Sequence, residues 1–238
     1  MGSIHIESRS ELAAVGWAQG RSHARYEDRY RMLVHPIPLV AHMQRGQIMA
    51  VCDGVGSAPM GVQAAQHVCD ALLQWYQSVP PLPCQPSAMS QLLQTANQHI
   101  HGWGRMPDSD RPLGACAATV AWLIDERLHL FHAGDTLAML CSDDHGHRVL
   151  SRLDQAPGGE LLNYFGMDTL TLHHTDIRTE AQDRLLLASD GVSKVMGHAE
   201  LRAVVSTSAS PAQAVRTIRE KCSHSTGDDI TALVWEME

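Results

Sequence analysis

Residues 47–57 read QIMAVCDGVGS: an apolar run, an aspartate and a glycine-rich turn. The apolar run predicts a buried strand over residues 47–52, and the glycines predict a sharp turn at its end. Apolar residues then recur at helical spacing, which predicts a helix over Gly61–Gln77. Asp53 is therefore expected at the end of a strand, beside a turn that leads into a helix.

Strand-like and helix-like patterns continue along the rest of the chain. Apolar runs predict strands over residues 117–124, 128–132, 137–141, 170–173, 184–188 and 230–235. The first three are joined by short turn-prone links, so we expect them to pair in antiparallel fashion. Helices are predicted after Ser87 as N-cap, over residues 198–206, and over residues 211–221 with Ser210 as N-cap.

The composition is that of a packed chain. The 238 residues are 44% hydrophobic and 18% charged, which excludes wholesale disorder and a membrane-embedded chain. A chain of this length buries roughly 70% of its unfolded surface, so we expect one domain over residues 1–238. Acidic residues outnumber basic ones, 26 to 18, and the net charge of -8 repels a phosphate backbone. Nucleic acid is therefore not expected as a partner.

The N-terminal sequence and the cysteines each support one expectation. Residues 1–21 lack the apolar core of a signal peptide, and no run approaches the ~20 apolar residues of a spanning helix. A cytoplasmic location without a membrane partner is the expectation. The six cysteines form no Cys-x-x-Cys pair and mostly lie in apolar strings, which predicts buried thiols rather than disulfides or zinc ligands.

Four aspartates share one setting. Asp53 and Asp190 each close an apolar strand and precede a glycine. Asp135 follows a glycine between two predicted strands, and Asp228 lies in the Gly-Asp-Asp turn that opens the terminal strand. If the sheet ends bring them together, two carboxylates ~4 Å apart repel by about 4 kcal/mol at an effective dielectric of 20. Only bound cations would keep such a cluster ionised, and oxygen ligands suit Mg²⁺ or Mn²⁺.

Each of these acidic motifs, taken alone, is also a common turn. Asp-Gly is a frequent turn dipeptide, so a globular protein with unrelated turns is an alternative interpretation. The order of the motifs, with each one at the boundary of a predicted strand, favours a shared site.

Seven short segments follow one another along nearly the whole chain. They are residues 20–28 ending in Glu-Asp, 51–56 (VCDGVG), 114–120, 133–136 (AGDT), 163–166 (NYFG), 187–191 (LASDG) and 227–231 (GDDIT). Their order and spacing resemble the metal-dependent serine/threonine protein phosphatases of the type 2C family, in their short bacterial form. The resemblance implies an α+β fold, a four-layer α/β/β/α sandwich of two antiparallel sheets flanked by helices, with a short flap around residues 142–165.

The resemblance also implies a metal centre made of aspartates. Asp53 would bridge two Mn²⁺ or Mg²⁺ ions, and the Gly54 carbonyl would bind one of them. Asp190 and Asp228 would bind the other ion, and Asp135 would help to hold a weaker third.

The implied reaction is the hydrolysis of phosphoserine or phosphothreonine on a protein. Glu27 and Asp28 would position metal-bound waters, and a water shared by two cations would attack phosphorus in line. The expected partner is a phosphorylated serine/threonine protein, with an opposing serine/threonine kinase.

The phosphate-binding segment departs from the family pattern. His23 stands where the family usually has arginine, and Tyr26 where it has asparagine. Phosphate binding would then fall to Arg21, Arg25 or protonated His23. Asp229 replaces a usual asparagine, and it is expected either as an outward-pointing turn residue or as an extra metal ligand. The alternative to an active phosphatase is a catalytically weak or inactive phosphatase-like module that binds a phosphoprotein or signalling partner.

Overall fold

The computed structural model describes residues 5–33, 45–78, 84–124, 126–142 and 146–237. In these ranges the strands are β1 (His5–Ser10), β2 (Ala13–Ala18), β3 (Arg29–Leu33), β4 (Gln47–Gly54), β5 (Cys116–Ile124), β6 (Arg127–Ala133), β7 (Leu137–Ser142), β8 (Gly146–Val149), β9 (His173–Arg178), β10 (Arg184–Ala188) and β11 (Ile230–Glu236). The helices are α1 (Gly61–Gln77), α2 (Pro86–His101), α3 (Asp190–Ser193), α4 (His198–Thr207) and α5 (Pro211–Ser223).

The strands form two antiparallel sheets. One sheet has the order β1-β2-β11-β10-β7-β8, and the other has the order β3-β4-β5-β6-β9. Apolar side chains from both sheets, including Val51, Leu130 and Leu187, pack into one core between them. The predicted α+β sandwich of two antiparallel sheets flanked by helices is confirmed.

The helices cover the outer faces of the sheets. Helices α1 and α2 pack Leu72 and Leu93 against Trp122 of the five-stranded sheet. Helices α4 and α5 pack Val205 and Ile218 on the six-stranded sheet. Each of these four helices buries an apolar face against its sheet. The two helical layers and the two sheets together make four layers.

Strand β4 runs two residues further than predicted. It ends at Gly54 instead of at residue 52, and Asp53 pairs with Ala117 of β5 in the antiparallel register. The apolar run ends at Cys52, but the ladder continues because its hydrogen bonds use backbone atoms only. Asp53 is thereby held by the sheet itself.

The structure differs from the sequence-based expectation at the start of α2 and before β9, and agrees with it at the start of α5. Ser87 is not the N-cap of α2: the helix starts at Pro86, and Gln85 is the N-cap with no side-chain hydrogen bond. Proline suits this first position because its missing N–H has no partner there in any case. The predicted strand at 170–173 is wrong, since β9 covers His173–Arg178. The N-cap role of Ser210 is confirmed, because its hydroxyl accepts from the Gln213 N–H.

The segment around residues 142–165 contains a strand that the loop interpretation did not include. Within its described part, β8 pairs with β7 at the edge of the six-stranded sheet. After β8, Asp154 fixes the rest of this segment. Its carboxylate accepts from the Asn163 amide at 2.6 Å and lies 2.9 Å from His173 Nε2 of β9.

The cysteines are free thiols. Five of the six are buried and Cys84 is half-buried, in agreement with the expectation from their apolar surroundings. Within the described ranges, no helix has the length and apolar character needed to cross a membrane.

Candidate metal centre

A cleft of about 520 Å³ opens at one end of the two sheets. Asp53 reaches it from the end of β4, and Asp135 from the turn between β6 and β7. Asp190 is the first residue of α3, directly after β10, and Asp228 lies two residues before β11. Both sheets therefore deliver carboxylates to the same cleft, as predicted from their positions at strand ends.

Three of the four aspartates converge. One carboxylate oxygen from each of Asp53, Asp135 and Asp190 lies within 4.8 Å of the others. The Asp190 N–H donates to Asp53 Oδ2 at 3.5 Å, and the Gln155 amide donates to Asp135 Oδ2 at 3.1 Å. Oxygen ligands at this spacing can share a divalent cation, so the donor set fits Mg²⁺ or Mn²⁺.

Two glycines let the backbone approach closely around these carboxylates. A Cβ on Gly54 would lie 2.8 Å from the Glu27 carbonyl oxygen, so a larger residue would force the segments apart. Gly134, which precedes Asp135, has φ +112°, and a Cβ there would lie 2.3 Å from the Ala117 Cβ. Both positions require glycine for the carboxylates to meet.

The fourth aspartate, Asp228, is held by a lysine that the sequence analysis missed. Lys194 Nζ lies 2.6 Å from Asp228 Oδ2 and 2.6 Å from Asp190 Oδ2. The other oxygen, Asp228 Oδ1, accepts from the Asp229 N–H at 3.0 Å and lies 3.3 Å from His23 Nε2. The four-residue spacing of Asp190 and Lys194 was the available signal, because residues i and i+4 share a helix face.

The proton affinities of the carboxylates reflect their crowding. Burial raises the pKa of Asp53 well above its usual range, and the charges of Asp28 and Asp190 raise it further. Burial, followed by the charge of Asp190, raises the pKa of Asp135 to about 7. Burial acts to raise the pKa of Asp228, but the hydrogen bond and charge of Lys194, together with the Asp229 N–H and His23, outweigh it and lower the pKa. A divalent cation would relieve this mutual repulsion.

Asp28 lies in a buried hydrogen-bond network beside the cleft. Its Oδ2 accepts from the Thr231 hydroxyl at 2.6 Å, and the Tyr26 hydroxyl is in hydrogen-bond contact with the same Thr231 oxygen. Tyr26 stacks on Trp17 with ring centroids 4.6 Å apart. Burial raises the pKa of Asp28 to about 7. The tyrosine that departs from the family pattern is therefore part of the packing that holds Asp28.

Asp229 does not point outward, which corrects the favoured sequence interpretation. The residue is 2% exposed, and its carboxylate accepts from the Gly20 N–H at 2.6 Å and from the Glu27 N–H. Asp229 Oδ2 also lies 3.2 Å from His23 Nδ1. Asp229, the residue immediately before β11, thus ties both ends of the segment 20–27 to the start of that strand.

The candidate phosphate-binding residues are divided by the structure. His23 lines the cleft, 3.7 Å from Glu27 Oε2. Arg21 instead donates to the His224 carbonyl at 3.1 Å, and Arg25 donates to the Pro59 carbonyl at 3.1 Å. Neither of these two arginines lines the cleft. Arg111 does line it, and the sequence analysis missed this residue.

Comparisons with known proteins give one consistent picture. The structure of PstP/Ppp, a serine/threonine phosphatase of Mycobacterium tuberculosis, has a TM-score of 0.78 at 19% identity, covering 99% of this chain and 100% of that one. The structure of Stp1, a serine/threonine phosphatase of Staphylococcus aureus, has a TM-score of 0.80 at 14% identity and covers 100% of both chains. PppA, described as a key regulatory component of T6SS in Pseudomonas aeruginosa, has a TM-score of 0.74 at 20% identity, with coverage of 93% and 95%.

The family itself is given by a sequence match. The PstP catalytic domain has also been solved in complex with two manganese ions, with a TM-score of 0.77 to this chain, 19% identity, and coverage of 99% of this chain and 100% of that one. No curated protein sequence is similar enough to count as a match. The family model described as Protein phosphatase 2C matches residues 20–225. The chain therefore belongs to the protein phosphatase 2C family.

Proposed function

We propose that the protein is a metal-dependent serine/threonine phosphatase that hydrolyses phosphoserine and phosphothreonine on proteins. The observation that carries the proposal is the convergence of Asp53, Asp135 and Asp190 within 4.8 Å in a cleft. Membership of the protein phosphatase 2C family supports the same reaction. We further propose that the chain acts as one catalytic domain over residues 1–238.

The proposed metal ligands follow from the cleft. Asp53 would bridge two ions, with the Gly54 carbonyl on one of them and Asp190 on the other. Asp228 would complete the second ion and Asp135 would hold a weaker third. Two bound Mn²⁺ or Mg²⁺ ions would supply a water of lowered pKa and offset charge on the phosphoryl oxygens.

Glu27 and Asp28 would orient the attacking water. Asp28 is suited to this role because the Thr231 hydroxyl fixes one of its oxygens and the burial of the carboxyl prevents it from rotating into solvent. Glu27 is fixed through its backbone, since its N–H is held by Asp229. Asp28 is held by Thr231 of β11, and Glu27 by Asp229 immediately before that strand. The start of β11 therefore lies between Asp228 and the residues proposed to orient the water.

Arg111 is our candidate for the cation that contacts the substrate phosphate. It is exposed at the cleft mouth, while Arg21 and Arg25 are engaged with backbone carbonyls. A guanidinium can bind two phosphoryl oxygens at once, which a histidine cannot do. His23 would add a second, weaker contact: burial lowers its pKa, but its carboxylate neighbours, first Asp229, outweigh burial and raise it.

The substrate is proposed to be a phosphorylated serine/threonine protein, opposed by a serine/threonine kinase in the cytoplasm. The flap around residues 142–165 borders the cleft through Gln155, Glu160, Leu161 and Tyr164, so it would contact the peptide around the phosphorylated residue. A regulatory role of the kind stated for PppA is compatible with this substrate class.

A second candidate function is that of a phosphatase-like module that binds a phosphoprotein without turnover. The observation that favours it is the engagement of both Asp228 oxygens by Lys194 and the Asp229 N–H. A protein that binds Mn²⁺ and a phosphopeptide but hydrolyses none would favour this function.

The proposal is tested by hydrolysis of a phosphothreonine peptide and an aryl phosphate in Mn²⁺. Activity should be abolished by a chelator and lowered on the order of 10²-fold or more in Asp190→Asn, because a ligand is lost. Asp168→Asn is the matched control, since the Asp168 side chain is 86% exposed and lies outside the cleft lining. Equal activity in wild type and Asp190→Asn would refute the proposal.

A further inference from the structure

We propose that the Lys194 ammonium is a resident cation of the acidic cleft, which takes the place of a divalent ion at Asp190 and Asp228. The inference rests on the proposed metal-dependent function. Lys194 would thereby limit how tightly the protein binds Mn²⁺ or Mg²⁺. The consequence is a centre that fills at higher metal concentration than its carboxylates alone would require.

The position of Lys194 is set by the short turn of helix α3. Lys194 is the C-cap residue, and its N–H donates to the Asp190 carbonyl at 2.8 Å. This places both residues on one face, so the Lys194 ammonium reaches back to the Asp190 carboxylate. The side chain also borders a second cleft, lined by residues such as Leu137 and Leu153, and it joins that cleft to the acidic one.

The two contacts of the ammonium are equally short. Nζ lies 2.6 Å from Asp190 Oδ2 and 2.6 Å from Asp228 Oδ2. A lysine ammonium is a compact point charge with three donors, so it can satisfy two carboxylates as a small metal ion does. Both carboxylates are also proposed ligands of the same divalent ion.

Both oxygens of Asp228 are already in contact with protein groups, so a metal ion at Asp228 would compete with them. Its Oδ2 is taken by Lys194, and its Oδ1 accepts from the Asp229 N–H and lies 3.3 Å from His23 Nε2. In the described part of the chain, Lys194 forms an ion pair with Asp190 of the Asp53, Asp135 and Asp190 cluster, but with neither of the other two carboxylates. The first divalent ion is therefore expected in that cluster, and an ion that binds Asp228 competes there with Lys194.

Displacement is feasible but opposed by charge. The Lys194 side chain is 52% exposed, so it can swing into solvent. While it remains, its positive charge repels a divalent ion that shares the Asp190 carboxylate. Removal of the Lys194 charge should therefore strengthen metal binding. If the ion pair were purely structural, its loss would weaken metal binding or leave it unchanged.

The test is a calorimetric Mn²⁺ titration of wild type, Lys194→Gln and Lys221→Gln at constant ionic strength. Lys221 is the matched control: its Nζ lies 2.6 Å from Glu200 Oε1 and its side chain is 48% exposed, away from the cleft. Lys194→Gln should bind Mn²⁺ about tenfold more tightly, which corresponds to about 1.4 kcal/mol. Lys221→Gln should bind as wild type does. Lys194→Met provides a second neutral variant of similar length.

The outcomes separate this inference from the proposed function. Wild-type Mn²⁺ binding that Asp53→Asn abolishes, together with unchanged or weaker binding in Lys194→Gln and Lys194→Met, overturns the inference and leaves the metal centre standing. Absence of Mn²⁺ binding in wild type and in both Lys194 variants overturns both. Tighter binding in both Lys194 variants, with no change in Lys221→Gln, supports the inference without reference to activity.

Discussion

Replacement of Asp229 by alanine should destabilise the fold strongly, although the sequence places it in a turn. The carboxylate accepts from two backbone N–H groups, those of Gly20 and Glu27, and only 2% of the residue is exposed. The two bonds join the segment 20–27 to β11 across more than two hundred positions of sequence. Alanine would leave the buried Gly20 N–H and the half-buried Glu27 N–H without this acceptor.

The magnitude follows from these two bonds and one opposing effect. A hydrogen bond to a charged group contributes about 1.5–3 kcal/mol. The charge of Asp229 also repels Asp28, and loss of that charge returns part of the energy. We expect Asp229→Ala to lower the free energy of unfolding by about 3 kcal/mol, or roughly 6–12 °C in melting temperature. Asp229→Asn, with a single acceptor oxygen, should cost about 1–2 kcal/mol.

Urea unfolding followed by tryptophan fluorescence, in the presence of a chelator, measures these losses without a contribution from bound metal. Asp108→Ala is the control, since Asp108 is an exposed loop residue, and it should stay within about 0.5 kcal/mol of wild type. A value for Asp229→Ala as small as that of the control would show that the carboxylate does not hold the segment.

Two further predictions concern the flap and the phosphate. Asp154→Ala should cost about 2 kcal/mol in urea unfolding at pH 7, because the Asn163 amide and the Gly134 N–H lose their acceptor. Burial acts to raise the pKa of Asp154, but its hydrogen bonds outweigh burial and lower the pKa. The difference in unfolding free energy between wild type and Asp154→Ala should therefore shrink as pH falls below about 4. A difference that stays constant with pH would contradict this. Arg111→Ala should raise KM for a phosphopeptide roughly tenfold with kcat nearly unchanged. Arg216→Ala, an exposed position on α5 outside the cleft lining, should change neither, and a fall in kcat alone in Arg111→Ala would contradict the phosphate contact.

The fold was largely predictable because its apolar runs have clear periods. Helix α1 matches its predicted bounds, and β10 matches residues 184–188. The N-terminal strands were missed for different reasons. Strand β1 is polar and lies at a sheet edge. Strand β2 is made largely of small residues, including Gly16, whose Cβ position lies 3.0 Å from the Val215 carbonyl oxygen of α5. Close packing of that kind depends on a partner far along the chain, which a local pattern does not contain.

The metal ligands were easier to predict than their surroundings. Strand ends and glycine turns mark Asp53, Asp135 and Asp190 in the sequence, because the chemistry needs those residue types at those places. The burial of Asp229 depends on donors from the opposite end of the chain, and no local spacing reveals it. Lys194 was marked by its spacing from Asp190, but a lysine four residues after an aspartate is also a common surface pair.

Carboxylates from both sheets are proposed to hold divalent ions within the cleft. Crystals grown in Mn²⁺ and measured at the manganese absorption edge test this claim directly through the anomalous difference map. We predict strong peaks in contact with Asp53, at least one of them shared with Asp190 or Asp135, and the loss of those peaks in Asp53→Asn. A map with no peak within ligand distance of Asp53, and with the three carboxylates turned apart, would contradict the claim.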